Sequence, residues 1–339
     1  TITGTPASAG TALFALNIGG QSCSLSVTVN PGSISSLNCG GATITGTLTS
    51  GVPASGVSAS VPYIGGNGGT HSGQTVTSTG VTGLTATLTA GSFTSGSGSL
   101  TYTITGTPAS AGIALFALNI GGQSCSLSVN IGCGNITFTY NGINVTYGTV
   151  GSVNNKCWLD RNLGALQVAI SRTDVAAYGD LFQWGRGADG HQIRNPLSGN
   201  SNILSVTDNP GHALFIITSS SPNDWRAGQN ANLWQGVNGI NNPCPTGFRV
   251  PTQAEWVTEV SSWGSSQNSL GGYASPLKLP VGGYRNSSAG ILKDVGTNGV
   301  YWSGTIGGTG SNTLDFNNSN AIFYSDFRAG GFSIRCIKD

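Results

Sequence analysis

The chain has 339 residues, enough for two or three domains, with 13 Lys and Arg against 12 Asp and Glu. Glycine is very high at 54 residues, yet Val, Ile, Leu, Phe and Trp recur regularly, which excludes a disordered chain and points to a mainly β protein with many turns. No run of 18 apolar residues occurs, so no membrane insertion is expected, and with no Met and no signal peptide the chain is expected to be the interior or C-terminal part of a longer precursor.

Charge divides the sequence. Lys156 is the first charged side chain, and residues 1–155 hold only His71 as an ionisable side chain apart from Tyr and Cys. All seven Trp also lie later, from Trp158 to Trp302. An uncharged segment cannot bind nucleic acid by neutralising phosphates. It has no carboxylate for metal binding or acid catalysis, and no Lys for a Lys–Asn isopeptide cross-link. The N-terminal part therefore reads as spacer, and recognition is expected beyond it.

The chain opens on TITGTPASAGTALFALNIGGQSC (1–23), and residues 103–125 repeat it with one change, Thr11 to Ile113. The offset suits one β-sandwich domain. Strands are expected at ATITGTL (42–48), TATLTAG (85–91), LTYTITG (100–106), ALFALNI (114–120) and SLSVNI (126–131). Gly- and Ser-rich stretches such as YIGGNGGTHSG (63–73) read as turns. Residues 1–30 are then the trailing strands of a preceding repeat, residues 31–131 one β-sandwich repeat, and residues 132–339 a different domain. A lone strand pair is marginal in water, so residues 1–30 are expected to pair with a preceding module or with another copy of the chain.

The seven cysteines show no CxxC spacing, so no metal site is expected. Repeat logic suggests Cys39–Cys125, and leaves Cys23, the equivalent of Cys125, without a partner in this chain. Proximity suggests Cys133–Cys157, leaving Cys244–Cys336, although four cysteines allow three connectivities. A disulfide framework implies an oxidising, extracellular setting, on a cell surface or a virion surface.

Past Cys133 the text changes. Thr252 and Glu255 form a T-x-x-E capping box, opening a short helix over about 252–263 with Ala254, Val257, Val260 and Trp263 on one face and Trp256 close by. A weak second helix is expected near 173–182. The segments CWLDRNLGA (157–165), YGDLFQWGR (178–186), NPCPTGFRVPTQAEW (242–256), YWSG (301–304) and SIRC (333–336) resemble the Fibrobacter succinogenes major paralogous domain family, over residues 133–339. That resemblance implies a secreted or surface protein with an α+β, C-type-lectin-like fold, here preceded by what resembles bacterial Ig-like β-sandwich repeats.

Several side chains invite a functional reading. Asp160 and Arg161 are expected to be a structural ion pair, and Trp184 and Trp234 core residues. His191 with Asp189 is too small a set for a metal site. The EPN, QPD and WND tripeptides of calcium-dependent lectins are missing; SPNDW (221–225) has the letters in another order. No cofactor is expected, and Ca²⁺ is left open without a recognised motif. RVPTQAEW also resembles formylglycine-generating oxidase domains, which use a reactive cysteine pair; a Cys244–Cys336 disulfide would remove it, and no enzyme activity is expected. Between Asn320 and Arg328, AIFYSDF reads as an exposed aromatic cluster rather than an alternating buried strand. The lectin-like resemblance makes this a candidate for a diversified binding loop, since residues 322–327 are all reachable from an Asn codon by changing its adenines. Candidate ligand contacts are Trp302, Asn312, Asp315, Asn317, Ile322, Phe323, Tyr324, Asp326 and Phe327. The leading expectation is an extracellular adhesin or receptor-binding protein whose partner is a cell-surface glycan or protein. The alternative is a structural subunit of a filament or surface layer, self-assembling through residues 1–30.

Overall fold

The computed structural model describes residues 1–339 except Thr5, Ala7, Ser8 and Asn154. The chain is mainly β, 41% strand and 6% helix. It forms two compact units, Thr1–Ile131 and Gly132–Asp339.

In the first unit, two sheets share one core. One sheet orders Ser36–Leu37, Val57–Gly66, Gly96–Gly106, Leu84–Leu88 and Gln74–Thr77, with Thr43–Thr45 also on Val57–Gly66. The other orders Leu48–Thr49, Gln123–Gly132, Gly112–Ile120 and Thr79–Gly80. Side chains alternate, because successive strand residues point to opposite faces. Val57, Ala59, Val61 and Tyr63 point inward, as do Leu100, Tyr102 and Ile104. Phe116, Leu118 and Ile120 meet them from the opposing sheet.

The outer face of the first sheet carries no charge. Ser and Thr pair across strands instead: Ser60 with Thr101, Ser58 with Thr103, Thr103 with Thr87, and Thr87 with Thr75. Each such pair stabilises by roughly 0.2–1 kcal/mol over Ala–Ala.

Two expectations need correction. ATITGTL is not one strand: the chain changes sheet at Gly46, whose φ of 83° suits glycine. A Cβ there would sit 3.1 Å from the Gly56 carbonyl oxygen. The stretch 63–73 is not all turn, since a strand runs to Gly66 and Thr70–His71 pairs with Gly91–Ser92. Its glycines accompany strands as well as turns.

Within residues 1–30, Gly10–Ile18 pairs with Gln21–Val29 in a two-stranded hairpin. Gly19 and Gly20, at φ 62° and 79°, form its two-residue turn, a geometry that needs positive φ at both positions. The expected trailing strands also take in Thr5, Ala7 and Ser8, which lie outside the described residues. Cys23 is exposed and unbonded.

Short strands and long loops build the second unit. Thr149–Gly151, Cys157–Leu159, Ile337–Lys338 and Phe248–Arg249 form one sheet, which seats the last strand inside it. The helix Gln253–Ser261 starts at Thr252, whose Oγ1 accepts from Glu255 N at 3.2 Å, while Thr252 N donates to Glu255 Oε2 at 2.8 Å. Its buried face differs from the expected one. Ala254 and Val257 are exposed, and Trp256, Glu259, Val260 and Trp263 turn inward. Glu259 can be buried because Trp263 Nε1 donates to it at 3.2 Å and Ser152 Oγ bonds its other oxygen. No α-helix forms at 173–182. A 3₁₀ turn at Val175–Ala177 takes its place, capped by Asp174, and the second helix is Ser269–Ala274.

Disulfides join Cys39 to Cys125, Cys133 to Cys157, and Cys244 to Cys336. The first ties the 3₁₀ turn Cys39–Gly41 to the strand Gln123–Gly132 across 86 residues of chain. Among the described residues, no helix is long and apolar enough to cross a membrane.

Replacing both Cys39 and Cys125 by Ala is expected to destabilise the sandwich by roughly 2–5 kcal/mol. Hydrogen exchange of the Val57–Gly66 amides measures this directly, without relying on Trp fluorescence, which reports only the second unit.

Candidate functional site

The last sheet is a meander of Gly299–Gly307, Gly310–Phe316 and Ala321–Asp326, with the third strand at the edge. That strand alternates from Ala321 to Tyr324, with Ile322 and Tyr324 exposed, and the alternation breaks at Ser325. Its register pairs Ile322 with Asp315, Tyr324 with Thr313 and Asp326 with Ser311 on one face. Ala321 and Phe323 lie on the other and pack against the core. The AIFYSDF segment looks irregular in sequence because both faces carry large apolar residues.

The first of these faces forms a wall of a cleft of about 530 Å³. Asp315, Tyr324, Asp326 and Phe327 line it from the meander, and Tyr284 and Asp294 line it from the other side. Tyr324 Oη donates to Asp315 Oδ2 at 3.2 Å, and Asn298 Nδ2 donates to Asp315 Oδ1 at 3.1 Å. Phe327 N donates to Asp326 Oδ1 at 2.6 Å. Tyr284 packs edge-on against Phe332, with centroids 5.9 Å apart.

The cleft is acidic. Among the described residues, none of Asp294, Asp315 and Asp326 forms an ion pair with Lys or Arg. Arg285 also lines the cleft, but its guanidinium is occupied inside the fold. Nη1 donates to Ser198 Oγ and Nη2 to Asn200 Oδ1, both at 2.8 Å, and the group lies 4.1 Å from the Phe215 ring centroid. Burial lowers Arg285 to about 10.

Burial raises Asp315 above the ordinary carboxylate range against its two hydrogen bonds, and Asp294 adds to the rise. Burial raises Asp326 too, against the bond from Phe327 N. Tyr284 is raised by burial and by the charges of Asp294, Asp326 and Asp315.

The sequence candidates thus separate. Asp315, Tyr324, Asp326 and Phe327 converge on the cleft. Ile322 is exposed on the same strand face. Trp302 is corrected: it is fully buried, donates Nε1 to the Phe182 carbonyl at 2.7 Å, and packs 4.3 Å from Phe332. It can support the cleft wall through Phe332 but presents no surface. Phe323 is turned to the core. Asn312 spends its amide on Gln253 Oε1. Asn317 Oδ1 accepts from Ser319 N at 2.8 Å and Asn320 N at 3.2 Å, holding the turn before the edge strand.

Other singled-out groups are structural. Arg161 Nε reaches Asp160 Oδ1 at 2.8 Å, and Gly148 N donates to Asp160 Oδ2 at 3.1 Å. Trp184 and Trp234 are buried, with Nε1 donated to Ser303 O and Asn241 O, each at 2.9 Å. His191 is fully buried between Asp189 Oδ1, 2.6 Å from Nδ1, and Gln183 N, which donates to Nε2 at 3.0 Å. Both ring nitrogens are therefore engaged, with the proton on Nδ1. Burial lowers His191 to about 4. For Asp189, burial would raise the carboxyl, but His191 and Arg186 hold it at about 2. Among the described residues, no group of three or more His, Cys, Asp or Glu is placed to hold a metal ion.

Tyr284 and Asp294 were missed in the sequence because Tyr284 sits on the two-residue strand Tyr284–Arg285 and Asp294 just after its partner Leu292–Lys293, both too short to show a periodic pattern. Comparison with models of protein families, with curated proteins and with solved structures finds no match for this chain.

Asp326→Asn is expected to stabilise the fold at neutral pH. A carboxyl raised in the folded state contributes stability below its unfolded range that is lost as pH rises through the folded value. The gain should therefore be full at pH 7 and shrink on acidification. Thermal midpoints of both proteins across that range measure it; a gain that grows toward acid pH would contradict the assignment.

Proposed function

We propose that this chain is an extracellular adhesin or receptor-binding protein. Its uncharged repeat region acts as a stalk, and its C-terminal domain presents the binding cleft. One observation carries the reading. Residues marked in the sequence as an odd aromatic cluster converge with Asp315 on the rim of the acidic cleft. Three disulfides support an oxidising, extracellular setting. The two-sheet core supports assignment of residues 31–131 as an Ig-like repeat. The capping-box helix, the abundant loops and the final strand tied by Cys336 support a C-type-lectin-like domain at 132–339.

The cleft chemistry suits a glycan or a protein surface. Tyr and Phe rings offer flat apolar contact, and carboxyl groups without an ion-pair partner can accept further from hydroxyl or ammonium donors. An oxidase of the formylglycine-generating type would need a thiol at Cys244 or Cys336. Those two are bonded to each other.

Tyr324→Ala and Phe327→Ala are each expected to weaken binding by about 30-fold, the loss typical of an interface anchor of ~2 kcal/mol. A glycan array and a panel of cells, probed with the labelled 339-residue chain, identify a bound target. Titration on that target then compares the variants with Val257→Ala, which alters an exposed helix position outside the cleft. Affinities within twofold for all three variants would remove the cleft from the binding surface.

A further inference from the structure

The N-terminal hairpin has an internal standard of comparison. Gly10–Ile18 and Gln21–Val29 pair from Gly10↔Val29 to Ile18↔Gln21. Gly112–Ile120 pairs with the following strand from Gly112↔Ile131 to Ile120↔Gln123, the same register displaced by 102 residues. Over residues 1–29 the sequence differs from 103–131 only at Thr11, Thr28 and Val29. The turns match as well, with Gly19 and Gly20 at φ 62° and 79° and Gly121 and Gly122 at φ 61° and 81°.

The surroundings differ completely. Phe116, Leu118, Ile120 and Leu127 are 0%, 1%, 6% and 1% exposed, whereas Phe14, Leu16, Ile18 and Leu25 are 36%, 39%, 79% and 42% exposed. In the second hairpin that apolar face is covered by Val57, Val61, Leu84, Tyr102 and their neighbours. Cys125 on the same face is bonded to Cys39, while Cys23 is free.

We propose that the N-terminal hairpin is the closing hairpin of a further β-sandwich. Its occupant is a segment with the chemistry of residues 31–102, carrying a cysteine at the position of Cys39 that bonds Cys23. A second copy of this chain supplies no vacant body, because its body is already filled by its own 112–131 hairpin. Bond formation removes two protons and two electrons from the paired thiols. A small-molecule disulfide accepts them and is reduced to two thiols. This inference rests on the repeat reading of the first unit and not on the cleft, so its failure leaves cleft binding unaffected.

The test places a second copy of residues 31–102 directly before Thr1 of the full chain, folded with oxidised glutathione. Hydrogen exchange and disulfide mapping are compared with the 339-residue chain. In the extended chain, amides 10–29 should gain roughly a hundredfold or more in protection, approaching amides 112–131. Cys23 should be bonded to the added cysteine and lose its reactivity toward a thiol label. A second extended chain carries Thr11→Ile, Thr28→Asn and Val29→Ile, which makes its hairpin identical to the one at 103–131 and controls for folding of the added segment. Protection in that chain but not in the native hairpin would overturn the proposal, as would protection in neither. Concentration-dependent dimerisation of the 339-residue chain with protection of 10–29 would also overturn it, assigning the face to a second copy.

Discussion

Unpaired backbone carbonyls are the constraint that shapes the second unit. Short strands and long loops leave many carbonyls inside the fold without a ladder partner, and a buried polar group without a hydrogen bond costs roughly 1–3 kcal/mol. Side-chain donors fill the gap. Trp225 donates to Trp184 O, Trp184 to Ser303 O, Trp302 to Phe182 O and Trp256 to Trp302 O. Arg335 adds a bond from Nη1 to Leu277 O at 2.5 Å, and Arg285 reaches the Ser198 carbonyl. Each indole fills core volume and ties distant segments together, as Trp302 does to the strand Phe182–Gln183 and the helical Trp256 does to the strand Gly299–Gly307. In the first unit the ladders pair the strand backbones, a few side chains such as Asn67 and Thr79 reach the carbonyls of Pro31 and Leu115, and Ser and Thr finish the outer face. The Trp and Arg side chains that make these bonds all lie in the second unit.

Legibility in the sequence tracks the same division. Where the backbone satisfies itself, the period-2 pattern shows through, and the mainly β class and most sandwich strands can be read from it. Val57–Gly66 escaped because its alternation runs into glycines that also suit turns. In the second unit the helix start was legible, since Thr252 and Glu255 act locally. Its buried face was not, because Glu259 becomes a core residue only through Ser152 and Trp263. Trp302 misled for a related reason. It stands among the candidate contacts in the sequence, but it is fully buried and its N–H bonds the carbonyl of Phe182, 120 residues away. The far wall of the cleft, Tyr284 and Asp294, is carried by the short strand pair Tyr284–Arg285 and Leu292–Lys293, which is too brief to read from a sequence period.

The donor network also explains how one region can hold unpaired acids. Arg285 stands beside the cleft, yet its donors go to Ser198, Asn200, His191 and Gly290. The guanidinium that would otherwise neutralise the carboxylates is committed to the scaffold. Asp294, Asp315 and Asp326 thereby keep accepting capacity toward the cleft, and burial raises the pKa of Asp315 and Asp326. Framework demand and available binding chemistry are two consequences of the same arrangement.

The edge strand separates those demands most sharply. Ala321 and Phe323 pack against the core and anchor the strand. Ile322, Tyr324 and Asp326 alternate with them and face outward, and Phe327 follows where the strand ends. Pairing to Gly310–Phe316 uses backbone groups, and the outward side chains add only cross-strand contacts such as Tyr324 to Asp315, each worth roughly 0.2–1 kcal/mol. Substitution there changes the wall of the cleft without opening a cavity in the core, whereas substitution at Phe323 disturbs packing. A surface built on alternate residues of an edge strand can therefore vary in side-chain chemistry while its fold stays fixed. The same alternation explains why the segment AIFYSDF reads as anomalous: Phe323 answers to the core, and its outward neighbours are freed from it.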